Sequence, residues 1–215
     1  AFYFRETLHR SLMEITGCKT LIENSSDDIL KLEGLLPFHK IVGEGVRDPF
    51  IIEEHGIRYF IDTSEGQKTG FYLDQRQNRL AIRKYANGKR VLDAFSYSGG
   101  FSINAFAGSA DSVTSVDSSA NALDLLLKNI EENQYSNQIH SRVQANVFDY
   151  LRKMRDRNEQ YDLIVLDPPK LAPTRAQAEK AARAYKDLQL MALKSLLPEG
   201  VLMTFSCSGG VTMDL

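Results

Sequence analysis

Two short stretches of this 215-residue chain carry side chains whose types and spacing suit chemistry. Asp167-Pro168-Pro169-Lys170 follows one apolar run, and Cys207 follows another. Consecutive prolines fix backbone dihedrals and hold the residue before them extended. Asp167 is therefore clamped at the tip of a predicted strand, as a preorganised hydrogen-bond acceptor or charge stabiliser should be. A free cysteine is more often a small buried hydrophobe than a reagent. Beside Asp167, Cys207 reads as a nucleophile. Earlier in the chain, RVLDAFSYSGGF (residues 90–101) reads as strand, tight glycine turn and helix, with Asp93 inside the strand. Gly99 and Gly100 allow a ligand close to the backbone. The turn has neither the G-x-G-x-x-G spacing of dinucleotide sites nor the Gly-Lys-Ser/Thr of a triphosphate loop, so it suits a ligand without phosphate. Asp117, at the tip of the next predicted strand, can accept from both hydroxyls of a ribose. Ribose without pyrophosphate points to S-adenosylmethionine. Four plainer readings stay open: residues 95–100 as an ordinary strand-to-helix turn, 167–170 as a structural proline turn, Asp117 as an acid stabilised at a helix N-terminus, and Asn146, at the third strand tip, as a helix cap rather than an adenine contact.

The elements that must position these residues follow from periodicity. From Lys89 onward the pattern alternates. Strands are predicted at 91–95, 112–117, 141–145, 161–166 and 201–205, and helices at 101–107, 119–133, 147–157 and 175–197. Strands alternating with helices imply an α/β fold with a right-handed, doubly wound parallel sheet, whose ligands sit beyond the carboxyl ends of the strands. Tyr161–Leu166 is apolar on both faces, as a central parallel strand should be. Pro198-Glu199-Gly200 is read as closing the last helix. Upstream, residues 49–54 and 57–62 flank His55-Gly56 as a β-hairpin, and 78–85 is predicted helical. The first 48 residues are less periodic. A helix over 4–15 with Leu8, Leu12 and Ile15 on one face, a strand pair at 20–23 and 28–32, and a linker over 33–48 are the expectations. This divides the chain into a small α+β region with the hairpin (residues 1–66) and a ligand-binding domain (67–215).

Composition excludes several classes. With 43% hydrophobic and 25% charged residues the chain is globular. No apolar run approaches the roughly 20 residues that span a bilayer, and no signal-peptide pattern opens it. Cys18 and Cys207 are too few for a disulfide framework, which fits a cytoplasmic protein, and His9, His39, His55 and His140 show no metal-ligand spacing. Net charge is −2, so only local clusters could draw a polyanion. Three are visible: Lys170, Arg175, Lys180, Arg183 and Lys186; Arg152, Lys153, Arg155 and Arg157; and Lys68, Arg76, Arg79 and Arg83. Solvated helix faces explain any one of them. Their coincidence near the strand tips favours a nucleic acid.

Four motifs in order, QKTGFYLDQR (67–76), FSYSGGF (95–101), DPPK (167–170) and TFSCSG (204–209), resemble the bacterial 23S ribosomal RNA cytosine-C5 methyltransferases. These belong to the class I S-adenosylmethionine-dependent enzymes. The likeness runs from about Ile51 to the last residue. It implies a Rossmann-like sheet, here truncated after its fifth strand, without the family's N-terminal RNA-binding PUA domain and its last two strands. The unpaired fifth strand would then be an edge open to pairing, and a homodimer is one outcome. The resemblance places Phe71, Asp74, Arg76, Asp93, Phe95, Tyr97, Gly99, Asp117, Asn146, Val147 and Asp167 around the cofactor, and Pro168, Pro169 and Lys170 at the substrate. Cys207 and Asp167 are the implied catalytic residues. Asn146 stands where the family often has aspartate, and Leu171 where it often has phenylalanine. The expected reaction is methylation of cytosine C5 in large-subunit ribosomal RNA through a cysteine–C6 adduct, with the target base unstacked. Two alternatives are an N-methyltransferase that needs no cysteine and a fragment that binds cofactor or RNA without turnover.

Overall fold

The computed structural model describes residues 4–24, 30–31, 34–36, 39–45, 49–63, 70–171 and 178–207. The chain divides into two compact units, Ala1–Ile52 with Phe60–Tyr72, and Glu53–Tyr59 with Leu73–Leu215.

In the first unit, α1 (Arg5–Thr16) ends on Gly17 in the left-handed conformation. β1 (Thr20–Asn24) pairs antiparallel with β2 (His39–Gly43). One expectation fails here. The partner of β1 lies at 39–43, inside the predicted linker, because His39–Gly43 supplies the extended stretch and Leu30–Lys31 is helical. The apolar stripe of α1 points outward: Leu8 and Leu12 are each 47% exposed and Ile15 is 83% exposed. The buried residue of that helix is His9, whose Nε2 lies 2.7 Å from Glu23 Oε2, while Arg5 donates to the other carboxylate oxygen.

β3 (Phe50–Glu54) and β4 (Ile57–Ile61) form the predicted hairpin. His55 and Gly56 both have positive φ (52° and 77°), the pair of dihedrals that a two-residue turn between twisted strands requires. Its tip belongs to the second unit and is anchored there. Arg79 of α2 (Arg76–Ala86) donates from Nε and Nη2 to the two oxygens of Glu54 at 2.8 and 2.9 Å, with both side chains buried. Such a pair is dear to break, because removing either partner leaves a buried charge. The Tyr59 hydroxyl accepts from Asn104. Burial raises its pKa well above the usual phenol value.

The second unit is the expected α/β sheet. Strands β5 (Arg90–Ala94), β6 (Ser112–Asp117), β7 (Ile139–Gln144), β8 (Tyr161–Leu166) and β9 (Leu196–Thr204) run parallel in the order β7-β6-β5-β8-β9. Helices α3 (Gly100–Ala107), α4 (Ala120–Glu132), α5 (Val147–Asp156) and α6 (Ala178–Lys194) make the crossovers. The order reverses between β5 and β8, so the crevice beyond those two strands is where such a sheet receives a ligand. β9 begins earlier than predicted. Leu196 pairs with Tyr161, the chain bulges through Pro198-Glu199-Gly200, and pairing resumes at Val201 opposite Leu163. Those three residues interrupt a strand and do not close a helix. Proline is tolerated at such a bulge, where no ladder hydrogen bond is needed from it.

In-register parallel partners share a face, so the sheet has two distinct sides. Leu92, Ala94, Val116, Ile164 and Leu166 lie on one and pack with Leu151 and Met154 of α5 and Leu188, Met191 and Ala192 of α6. Asp93, Ser115 and Arg142 are register partners on the other.

Candidate cofactor and catalytic site

All five strands present their carboxyl ends to one edge, and Asp93, Phe95, Tyr97, Gly99, Asp117, Asn146, Asp167 and Cys207 lie in or just after the ends of those strands. After β5, the backbone N–H groups of Phe95 and Ser96 both donate to Val116 O, at 2.9 and 3.1 Å. The chain then passes through left-handed dihedrals at Phe95 (φ 66°), Tyr97 (φ 46°) and Gly99 (φ 82°). Two non-glycine residues in that region within three positions store strain, which surrounding structure must hold. Part of the hold comes from Asp117. Its Oδ2 accepts from Tyr97 N and its Oδ1 from Ser119 N, both at 2.9 Å. Gly99 has its own reason to be glycine: a Cβ there would fall 2.6 Å from Leu126 Cγ of α4. Asn129 Nδ2 completes the brace by donating to Ser98 O at 3.0 Å.

Asp93 is fully buried beneath this turn. Its Oδ2 accepts from Ser102 N (2.9 Å) and from Ser102 Oγ (2.6 Å). Its Oδ1 and the buried Ser96 Oγ have no hydrogen-bond partner among the described residues. Burial, opposed in part by Ser102 and aided by the nearby Asp167 and Asp117 carboxylates, pushes Asp93 up to about 7. Unsatisfied buried polar atoms are rare in folded proteins. Two of them at one turn fit a ligand bearing hydrogen-bond donors, which S-adenosylmethionine is.

Asn146 is exposed and caps α5, its Oδ1 accepting from Phe148 N and Asp149 N at 3.0 and 3.4 Å. The plainer of its two readings is thus realised, and only its amide group is left for an adenine. Val147, next to it, is buried in the apolar face of the sheet. Asp74 and Arg76 are exposed, the first in a 3₁₀ turn (Leu73–Gln75) and the second opening α2, where its Nε donates to His55 Nε2 at 3.3 Å. Phe71 is buried and belongs to the first unit. Gln67, Lys68 and Thr69 of the same motif lie outside the described residues.

Beyond β8 and β9 the two chemical motifs meet. Phe205 N donates to Leu166 O at 2.9 Å, which carries the last ladder rung past the end of β9. Two residues on, Cys207 Sγ lies 4.0 Å from Pro168 O. Cys207, Pro169 and Lys170 are exposed, Pro168 is buried and Asp167 is half-buried. The Phe205 ring stacks on Phe101 of α3, with centroids 5.4 Å apart and planes 18° apart, so the cysteine strand and the glycine turn share a wall. Leu171 packs into the apolar face and against Ala181 and Tyr185 of α6.

The basic clusters are largely corrected by the structure. Arg79 is the buried partner of Glu54, and Arg83 donates to Asn104 Oδ1 (2.7 Å) and His55 O (3.1 Å), so both belong to the packing of the hairpin tip. Arg152 pairs with Asp149 and Asp187, Arg155 with Asp156, and Arg157 with Glu159. Arg183 pairs with Glu179 one turn earlier. Lys68 and Arg175 lie outside the described residues. Two of the pairing acids, Glu54 for Arg79 and Asp187 for Arg152, sit on other elements, whereas Asp149, Asp156, Glu159 and Glu179 lie within four residues of their arginines. Sequence reading also passed over Ser96, Ser102, Ser115 and His140. Strand register reveals Ser115 and His140, and the packing of the turn and of α3 over β5 reveals Ser96 and Ser102.

No described helix is long and apolar enough to cross a membrane, and the described residues hold no group of three or more potential metal ligands.

Comparison with known proteins agrees with this geometry. A family model for S-adenosylmethionine-dependent methyltransferases matches residues 38–213. Ribosomal RNA large subunit methyltransferase I from Yersinia pseudotuberculosis (serotype O:1b, strain IP 31758) is 43% identical over 216 residues, covering all of this chain and 54% of the relative. Its counterpart in Yersinia pestis bv. Antiqua (strain Angola) matches equally. The chain thus spans about half the length of these curated relatives. Among solved structures, the methyltransferase SMU.776 complexed with SAH superposes with a TM-score of 0.84 at 27% identity, over 99% of this chain and 54% of that one. A SAM-dependent methyltransferase from Streptococcus mutans gives 0.70 at 31% identity, over 82% and 46%. With the family model covering most of its length and the strand-tip crevice built from its own motifs, the chain belongs to the S-adenosylmethionine-dependent methyltransferases.

Proposed function

We propose that this chain is the methyl-transferring part of a large-subunit ribosomal RNA methyltransferase that modifies C5 of a cytosine in 23S ribosomal RNA. The name carried by its 43%-identical relatives supports the substrate class. The observation that carries the choice of atom is the approach of Cys207 Sγ to the Asp-Pro-Pro-Lys turn, 4.0 Å from Pro168 O. Cytosine C5 is a poor nucleophile until C6 has been attacked, so an enzyme acting there needs a thiol beside the base.

Bound S-adenosylmethionine supplies an electrophilic methyl group on a sulfonium. Asp93, Phe95, Tyr97, Gly99, Asp117 and the Asn146 amide form the cofactor side of the crevice, with Asp117 accepting from the ribose on lone pairs its two backbone contacts leave over. The Asp-Pro-Pro-Lys turn and Cys207 form the base side. The Cys207 thiolate adds to C6, forming a C–S bond and moving the C5–C6 π electrons toward C5. Asp167 accepts from the amino group of the base with one carboxyl oxygen, and with a proton on the other it donates to N3, where negative charge develops. C5 takes the methyl group as the sulfonium C–S bond breaks, leaving S-adenosylhomocysteine. A base then removes the C5 proton, and those electrons expel the thiolate from C6. An ordinary thiol has a pKa of about 8.5, so binding of the base must favour the thiolate form. The target must be flipped or single-stranded for C6 to reach sulfur.

The test is nucleoside mass spectrometry of 23S ribosomal RNA from cells lacking the full-length protein, complemented with wild type, Cys207→Ala or Asp167→Asn. The proposal expects one 5-methylcytidine to vanish on deletion and to return only with wild type. A methylated purine that vanishes instead, or activity that survives Cys207→Ala, would replace the covalent scheme with direct transfer to nitrogen.

A further inference from the structure

Three adjacent strands and one helix place a polar chain inside the sheet that the transfer chemistry above does not use. Asp93 on β5 and Ser115 on β6 are register partners, and His140 sits on the same face of β7, two residues before the register partner of Ser115. Ser102 of α3 closes over them. The contacts run in sequence: Ser102 Oγ to Asp93 Oδ2, 2.6 Å; Ser102 Oγ to Ser115 Oγ, 2.7 Å; Ser115 Oγ to His140 Nε2, 2.9 Å. Asp93, Ser102 and Ser115 are each completely buried.

Proton counting gives the chain a direction. Ser102 N already donates to Oδ2, so that oxygen is an acceptor and the Ser102 hydroxyl proton points at it. With its single proton committed, Ser102 Oγ accepts from Ser115. Ser115 Oγ must then accept from His140, which fixes the proton on Nε2. Every donor converges on Oδ2, and Oδ1 receives none. We propose that His140 is a positioning residue for the cofactor site, acting through Ser115 and Ser102 to orient the Asp93 carboxylate and leave Oδ1 to a hydrogen-bond donor of the bound methyl donor. This rests on the S-adenosylmethionine reading of the crevice and not on the identity of the RNA base.

The charged surroundings fit that role. Asp117 from the tip of β6 and Asp167 after β8 face Asp93 and disfavour its ionisation, against which the Ser102 contacts work. Around His140, Arg142 is the charged neighbour, itself paired with Asp124 of α4, and the Phe106 ring of α3 meets the imidazole edge-on. Burial and Arg142 lower His140 to about 4, so the ring is neutral wherever Asp93 titrates.

Nitrogen-15 NMR of the free protein at neutral pH reads the tautomer directly: a protonated Nε2 is expected, and a protonated Nδ1 overturns the proposal. Affinity for S-adenosylhomocysteine, measured calorimetrically from pH 5.5 to 9, should rise with the ionisation of Asp93. His140→Phe and, independently, Ser115→Ala should move that profile to higher pH by roughly half a unit to one unit, the worth of one buried hydrogen bond. His140→Gln, whose amide can donate in the same place, should restore it. Profiles of His140→Phe and Ser115→Ala that superpose on wild type would sink the relay. Should wild type bind no S-adenosylhomocysteine at any pH, the methyl-donor reading fails. The relay is then decided by carbon-13 titration of the Asp93 carboxyl, which must rise in His140→Phe and not in His140→Gln.

Discussion

The two faces of the parallel sheet differ in what their buried strand positions carry. On one, Leu92, Ala94, Val116, Ile164 and Leu166 meet α5 and α6 through apolar side chains alone. On the other, the same strands bury Val91, Val113, Leu163 and Val165 but also carry Asp93 and Ser115, which enter a hydrogen-bonded chain. The apolar face gains stability from area removed from water and asks only for volume and shape. The polar residues of the mixed face add little net stability, because each bond replaces one to water, yet each group left without a partner is costly. Both faces bury apolar side chains, and only the mixed one also sets an orientation beneath the crevice.

Substitutions on the two faces should therefore fail differently. The largest effect is expected for truncation on the apolar side: Ile164→Ala or Leu166→Ala should cost about 2–5 kcal/mol in denaturant unfolding while leaving the pH dependence of cofactor binding in place. A loss much below 1 kcal/mol would mean that this face is less tightly packed than its burial indicates.

On the side of the mixed face lies the anchor of the hairpin tip. Arg79→Leu or Glu54→Leu alone should cost about 3–5 kcal/mol, since each strands a buried charge, whereas the double substitution should recover most of that loss. Additive single losses in the double-mutant cycle would contradict the pairing.

Asp93 separates the faces by pH. Its folded pKa, about 7, lies above the unfolded value of 3.8, so between these limits the folded chain holds a proton that the unfolded chain has released. Ligand-free stability should thus decline as pH rises from about 4 to 7, and Asp93→Asn should abolish the decline. His140 works from the other side: lowered from 6.5 to about 4, it resists a proton the unfolded chain accepts, and stability should fall as pH drops through that window. Thermal melts of the two single variants across pH 4–8 resolve the opposing slopes. The smallest effect is expected at Asn146, where Ala should cost about 1 kcal/mol as a lost helix cap. A larger change in S-adenosylhomocysteine affinity than in stability would show that its amide also reaches the ligand.

Much of this was legible along the chain where one interaction dominates locally. Alternating strands and helices from Lys89 onward and the His55-Gly56 turn follow from periodicity and turn chemistry, and the structure has them within a few residues. The failures occur where a distant partner decides. β1 chose His39–Gly43 over the nearer segment, and β9 began before its proline. At Arg79 and Arg152 the basic clusters failed for the same reason: a run of arginines says nothing of the carboxylates that other elements bring to it.

By itself, then, the sequence determined the class of sheet, the acids and the cysteine at its strand tips, and the family motifs, because these depend on residue type and short-range spacing. Only tertiary structure decided that Cys207 reaches the Asp-Pro-Pro turn, that Arg79 is an internal anchor, and that Asp93, Ser102, Ser115 and His140 form one chain. Those outcomes depend on strand register and on crossovers that close between residues up to 39 positions apart, and no local preference encodes such distances.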